Sequence, residues 1–165
     1  MLLDKDLLFS DWVEALLAAR GLPSDRDSEI YWKEIRPLEY KSLERLAMSH
    51  LSMRKIVVID APLRPELNDP AWVRRLEQNC RSLGAILIPA WVEISEQCAR
   101  QRMQNRYEAR DQWKLSHWEE FIRRQSYRAP SEASLIIQND EPQTPDAAAR
   151  LVLKALKSAF HTGSR

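Results

Sequence analysis

The 165-residue chain holds only three glycines, Gly21, Gly84 and Gly163, so turns that need a positive φ are few. Its two cysteines, Cys80 and Cys98, form no CxxC pair, so neither a disulfide framework nor a zinc site is indicated. No stretch approaches the ~20 apolar residues of a membrane-spanning helix. The N-terminus, MLLDKDLLFSDW, puts acids where a secretory signal needs an unbroken apolar core. Charge of one sign is missing too. The 25 Lys and Arg against 24 Asp and Glu leave a net +1, so no overall field draws the chain to nucleic acid or to an anionic membrane. These absences describe a cytoplasmic protein of a reducing compartment, with neither nucleic acid nor membrane expected as a partner. A composition 44% hydrophobic and 30% charged suits one globular domain over 1–165 with a real core.

Against that even balance stands a local concentration of charge. Arg102, Arg106 and Arg110 lie four residues apart, and no carboxylate lies at helical spacing from any of them. On one helix they share a face, which Lys114 extends if the helix continues. Like charges so placed cost roughly 0.2–0.5 kcal/mol per pair, so the stripe suggests an anion from elsewhere. A planar guanidinium suits phosphate or carboxylate. A solvated face, or pairing with acids distant in sequence, explains the pattern equally well.

Local patterns order the rest. Leu2 and Leu3 end at Asp4, too short to define a strand alone. Asp6–Arg20 reads as a helix whose apolar face takes in Leu7, Leu8, Trp12, Ala15 and Leu16, stopped by Gly21 and Pro23. A polar helical segment, Asp25–Arg36, precedes a helix that Pro37 opens and that runs to about Ser52, with Leu43, Leu46, Ala47 and Leu51 inward. KIVVID (Lys55–Asp60) reads as a strand buried on both faces. Asn68 or Asp69 caps a helix opened by Pro70 and closed by Gly84. AILIPAWVE (Ala85–Glu93) is a further buried strand in which Pro89 disrupts at least one ladder bond. Ser95 caps the arginine helix, and Ser116 with Glu119 forms a capping box for a helix over Trp118–Gln125. Leu135–Gln138 is a short strand, and Thr144 with Pro145 starts a last helix ending near Phe160. This alternation implies an α/β fold with a mostly parallel sheet, which binds ligands at the carboxyl ends of its strands. Asp4 or Asp6, Asp60, Glu93 and Asn139 follow apolar strand segments and are expected on one rim.

LLDKD, RPLEY, IVVIDAP, then AILIPAWVE followed by RMQNRYEARDQWKLSHW, in this order and separation, resemble the small P-loop kinases. Within these they look like the AAA-type ATP-binding proteins related to bacterial small-molecule phosphotransferases. The resemblance implies a three-layer α/β fold, ATP and Mg2+ as cofactors, and transfer of the γ-phosphoryl group to a hydroxyl of a small-molecule acceptor. Such proteins carry GxxxxGK[ST] after a central first strand, where backbone amides cradle the phosphates. None of the three glycines here precedes a Lys-Ser or Lys-Thr pair. The pattern begins at what corresponds to the second strand, so the fold reads as N-terminally truncated, with the central first strand missing. Little ATP affinity and no turnover are then expected of these residues. The strands either side of the gap must pair directly, borrow a strand from another copy or a partner chain, or remain sticky, because a buried unpaired amide costs ~1–3 kcal/mol.

By the same resemblance Asp6 is the carboxylate that takes the proton of the attacking hydroxyl; as a residue it also suits a helix cap, the role favoured for Asp4. Asp60 is the strand-end acid on the magnesium side, or a cap of the loop before Pro62. Arg102, Arg106 and Arg110 are nucleotide-binding arginines of a lid over about 102–118, Arg106 and Arg110 also catalytic. Asn139 and EPQTP lie where adenine is held, or form an ordinary loop. Asp111 reads as an arginine partner or cap, and His117 as structural. Trp113 and Trp118 pack the lid or stack on an acceptor. Arg36 and Tyr40 face the acceptor in the resemblance, with no chemistry to assign. Two other classes stay open: a non-catalytic interaction module, and a polyanion-binding domain built on the arginines.

Overall fold

The computed structural model describes residues 1–107, 111–124, 129–140 and 145–162. The chain divides into two compact units, residues 1–63 with 77–85, and residues 64–76 with 86–165.

The first unit opens on strand β1 (Leu2–Asp4) and helix α1 (Lys5–Ala19). Asp4 starts the helix: its carboxylate accepts the Leu7 N–H at 3.0 Å. Gly21 ends the turn beyond α1 at a φ of 72°, a conformation that favours glycine. A π-helical turn (Tyr31–Ile35) then runs directly into α2 (Arg36–Ser52). The break expected at Pro37 takes this form: the Arg36 N–H reaches back to the Tyr31 carbonyl, and the proline without an N–H falls in the first turn of α2. Strand β2 (Val58–Asp60) lies parallel to β1, with Leu2, Leu3 and Asp4 opposite Val58, Ile59 and Asp60.

The core of this unit is Leu3, Phe9, Val13, Leu17, Tyr31, Ile35, Leu43 and Ala47. Of the expected inner face of α1 only Trp12 packs against this core. Leu7 is 86% exposed, and Leu8 and Leu16 are exposed as well. Apolar residues surround α1, so periodicity does not select a face; the line Phe9, Val13, Leu17 meets the Leu3 and Leu43 side of the core. Leu46 of α2 is likewise exposed. β2 is shorter than KIVVID and is not buried on both faces. Val58 is exposed while Ile59 packs on the core, as a pleat covered on one side requires.

The second unit contains α3 (Arg64–Leu67), β3 (Ala90–Glu93), α5 (Glu96–Arg106), α6 (Gln112–Ser116), α7 (Trp118–Arg124), β4 (Leu135–Gln138) and α8 (Pro145–Thr162). Helix α4 (Pro70–Ser82) gives its first part to this unit and its last part to the other. Asp69 is its cap, accepting the Ala71 N–H at 2.9 Å, and Gly84 closes the turn beyond it at a φ of 69°. Strands β3 and β4 are parallel, Ala90 opposite Leu135 through Glu93 opposite Gln138. Pro89 bounds β3, which replaces the longer strand expected from Ala85. Having no N–H, Pro89 contributes only its carbonyl, which accepts the N–H groups of Ser134 and Leu135. Ala99, Trp118 and Phe121 form a small core with Ile94, Met103, Leu115 and Ile122 around it. The Ser116 hydroxyl turns back onto the carbonyls of Gln112 and Trp113 in α6, so the expected capping box with Glu119 is not made.

Among the described residues, β1–β2 and β3–β4 are two two-stranded sheets. Both pairs are parallel and are fed by helices, which is an α/β arrangement. No described helix is long and apolar enough to cross a membrane.

Candidate functional site

The parallel register of β1 and β2 sets Asp4 and Asp60 side by side at their carboxyl ends, and Asp6 follows in the first turn of α1. In the second unit the Asn139 N–H donates to the Glu93 carbonyl, so Glu93 and Asn139 also share a strand-end rim. Each unit therefore carries part of the expected rim on its own sheet.

Asp4 is committed to its cap, as expected. Asp6 is about half exposed, and its carboxylate meets the Lys5 ammonium at 2.7 Å and the Arg26 guanidinium at 3.4 Å. Arg26 also holds Glu14 and Ser10, which fixes the loop after α1 against the helix. Lys5 and its second partner, Glu39, are both buried. The sequence reading missed Lys5 and Glu39. The available signal was spacing: Ile35, Glu39, Leu43 and Ala47 recur every four residues and all are buried.

Arg36 and Tyr40 gain a definite role. The Tyr40 hydroxyl donates to the Pro62 carbonyl at 3.1 Å and Arg36 Nη2 to the same oxygen at 3.4 Å. The Arg36 guanidinium lies 3.9 Å from the Tyr40 ring centre and 4.9 Å from that of Trp32. Together they pin the loop that leaves Asp60.

In the second unit the Ser95 hydroxyl accepts the Cys98 N–H, starting α5 as expected. The same end of the helix is tied to the segment after β4: the Ser95 N–H donates to the Asp140 carboxylate, and Cys98 Sγ to the Asp140 carbonyl at 3.3 Å. Arg102 Nη2 donates to the Asn139 carbonyl at 2.6 Å, so two expected nucleotide-binding residues do meet, through main chain.

The arginine stripe does not run on. Helix α5 stops at Arg106, and Tyr107 turns left-handed at a φ of 51°. Lys114 falls on the separate helix α6, and Arg110 and the EPQT segment lie outside the described residues. An acid that pairs with Arg106 is Asp111, fully buried, with Lys114 Nζ at 3.4 Å from its other oxygen. Burial alone would raise the Asp111 carboxyl, but the Arg106 hydrogen bond and the Lys114 charge more than offset this and hold it below the usual carboxylate range. Asp111 is thus an arginine partner, as expected. Trp118 is buried beside Phe121 and donates to Glu96 at 2.9 Å; Trp113 stacks on His117 with ring centres 5.0 Å apart. The open depression lined by Glu96, Arg100, Gln104 and Trp118 includes Trp118 but none of the residues expected to serve catalysis, nucleotide or metal.

The residues present do not form a triphosphate cradle, since no glycine-rich loop with a following Lys-Ser or Lys-Thr occurs in the sequence. Among the described residues no three His, Cys, Asp or Glu side chains are grouped to hold a metal ion.

Short parallel strands fed by helices, with acids at their carboxyl ends and arginines on the helix after β3, define an α/β protein. The chain belongs to the AAA domain family, a P-loop kinase-like family, which it matches over residues 3–129. No curated protein and no solved structure matches the chain.

Proposed function

We propose that the chain is the body of an ATP-dependent small-molecule kinase whose ancestral reaction carried the γ-phosphoryl group of ATP to a hydroxyl, within one three-layer domain whose lid covers about 102–118. Asp6 orients the hydroxyl and accepts its proton, Asp60 serves the magnesium side, Arg102, Arg106, Arg110 and Asn139 face the nucleotide, and the setting is cytoplasmic. The observation that carries this reading is the family match together with the register of Asp4 and Asp60 at the strand ends. The segment that supplies a central strand and phosphate loop is not among these residues, so the chain alone is inactive.

Calorimetric titration of Mg-ATP into the chain is expected to give no saturable binding. A dissociation constant in the low micromolar range overturns the inactivity. Joining a strand–GxxxxGK[ST]–helix segment ahead of Met1 is expected to restore ATP binding and phosphoryl transfer to small alcohols. Asp6→Asn in that fusion is expected to lower the transfer rate about 100-fold. A folded fusion that still ignores ATP overturns the kinase reading.

A second reading, a module that pairs with another copy or partner chain, is favoured by one observation. Leu2, Ile56 and Val58, 62%, 74% and 54% exposed, cluster along β1 and the entry to β2. Light scattering at micromolar concentration is expected to find oligomers, and the double variant Ile56→Lys, Val58→Lys is expected to be monomeric. A monomeric native chain overturns this reading. The polyanion reading is weaker, because Arg102 and Arg106 already have partners within the chain.

A further inference from the structure

Lys5 is 3% exposed and Glu39 is 0% exposed, and they meet at 3.4 Å. Neither burial nor geometry makes this a stabilising pair. Two charges withdrawn from water need close contact and full hydrogen bonding to recover the desolvation cost, and apolar pairs of similar volume commonly do as well or better. Here the contact is long, and Glu39 Oε2 is buried with no hydrogen-bond partner. The Tyr31 phenol beside it is pushed far up, first by burial and then by the Glu39 carboxylate, so it stays neutral there. What the pair does achieve is to hold the Lys5 ammonium at a fixed point at the base of α1. From there Lys5 meets Asp6 Oδ1 at 2.7 Å, its shortest ion contact. Asp6 is the member of this chain of charges that reaches solvent, at 52% side-chain exposure. Arg26 approaches the same oxygen, but its own side chain is shared with Glu14 and Ser10.

We propose that Lys5 and Glu39 are positioning residues for Asp6: Glu39 anchors Lys5 inside the unit, and Lys5 fixes the Asp6 carboxylate at the strand-end rim. This rests on the reading of Asp6 as the hydroxyl-orienting group. A carboxylate flanked by a fixed ammonium is a weak base and a well-aimed acceptor, which suits phosphoryl transfer, where alignment outweighs basicity.

The test follows the Asp6 carboxyl carbon by NMR through an acid titration of the full 165-residue chain. Lys5→Met is expected to raise the proton affinity of Asp6 about tenfold, and Lys5→Arg to leave it near the native value. Glu39→Gln gives the decisive sign. Through-space charge alone predicts a fall in Asp6 proton affinity, because a negative neighbour is removed; loss of the anchor predicts a rise of about threefold, because Lys5 leaves Asp6. A rise in Glu39→Gln supports the proposal, and a fall or no change overturns it. The amide spectrum confirms folding of each variant, and should Lys5→Met not fold, Glu39→Gln carries the decision. The titration reports positioning alone, whereas transfer by the phosphate-loop fusion reports the role of Asp6, so the two fail separately.

Discussion

Leu17→Ala is expected to remove about 2–5 kcal/mol of unfolding free energy, whereas its neighbour Leu16→Ala changes it by less than about 0.5 kcal/mol. Leu17 is wholly buried on α1 in line with Val13 and Phe9, and truncating it leaves a cavity lined by the first unit's core. Leu16 is 41% exposed and loses only partial contact. Urea denaturation of both variants, followed by tryptophan fluorescence, separates the two faces. A larger cost for Leu16→Ala than for Leu17→Ala would mean that α1 buries the face suggested by its sequence pattern instead.

Asp111→Ala is expected to cost about 1.5–3 kcal/mol at neutral pH, the usual cost of losing hydrogen bonds to a charged group. The buried carboxylate serves both Arg106 and Lys114, and without it these two cations lose the anion they share. The pH dependence follows from the direction of its shift. The folded-state value is held below the unfolded one, so the stabilisation is present above the unfolded carboxyl range and is lost as pH falls through the folded value. Thermal melts from neutral into acid should therefore show the native chain losing stability towards the variant. Parallel curves for the two proteins would show that Asp111 gains nothing from its ionised form.

Features governed by neighbours a few residues away are readable in the sequence. Asp4, Asp69 and Ser95 cap their helices, Gly84 closes one, Pro89 bounds β3, and Leu135–Gln138 is a strand as expected. Each depends on a side-chain oxygen, a missing N–H or a free φ. Choices between faces are less legible. Leucines and alanines surround α1, so burial of Phe9, Val13 and Leu17 is decided by contacts with Leu43 and Ala47 far along the chain. The site divides in the same way. Strand-end acids follow from element order, and Asp4 and Asp60 do stand side by side. The Arg106–Asp111 pair lies five residues apart, a spacing no continuous helix brings together, and exists because Tyr107 turns the chain. Glu39 escapes an apolar-pattern reading because its charge hides its place among buried positions.

Both strand pairs run in the same direction, and neither is joined by a hairpin: Leu2–Asp4 must find Val58–Asp60, and Ala90–Glu93 must find Leu135–Gln138. Each encounter closes a loop of dozens of residues before any ladder bond forms, whereas α1, α2 and α5 can nucleate from local contacts alone. Chain entropy, rather than helix formation, is therefore expected to set how fast this polypeptide reaches its native state.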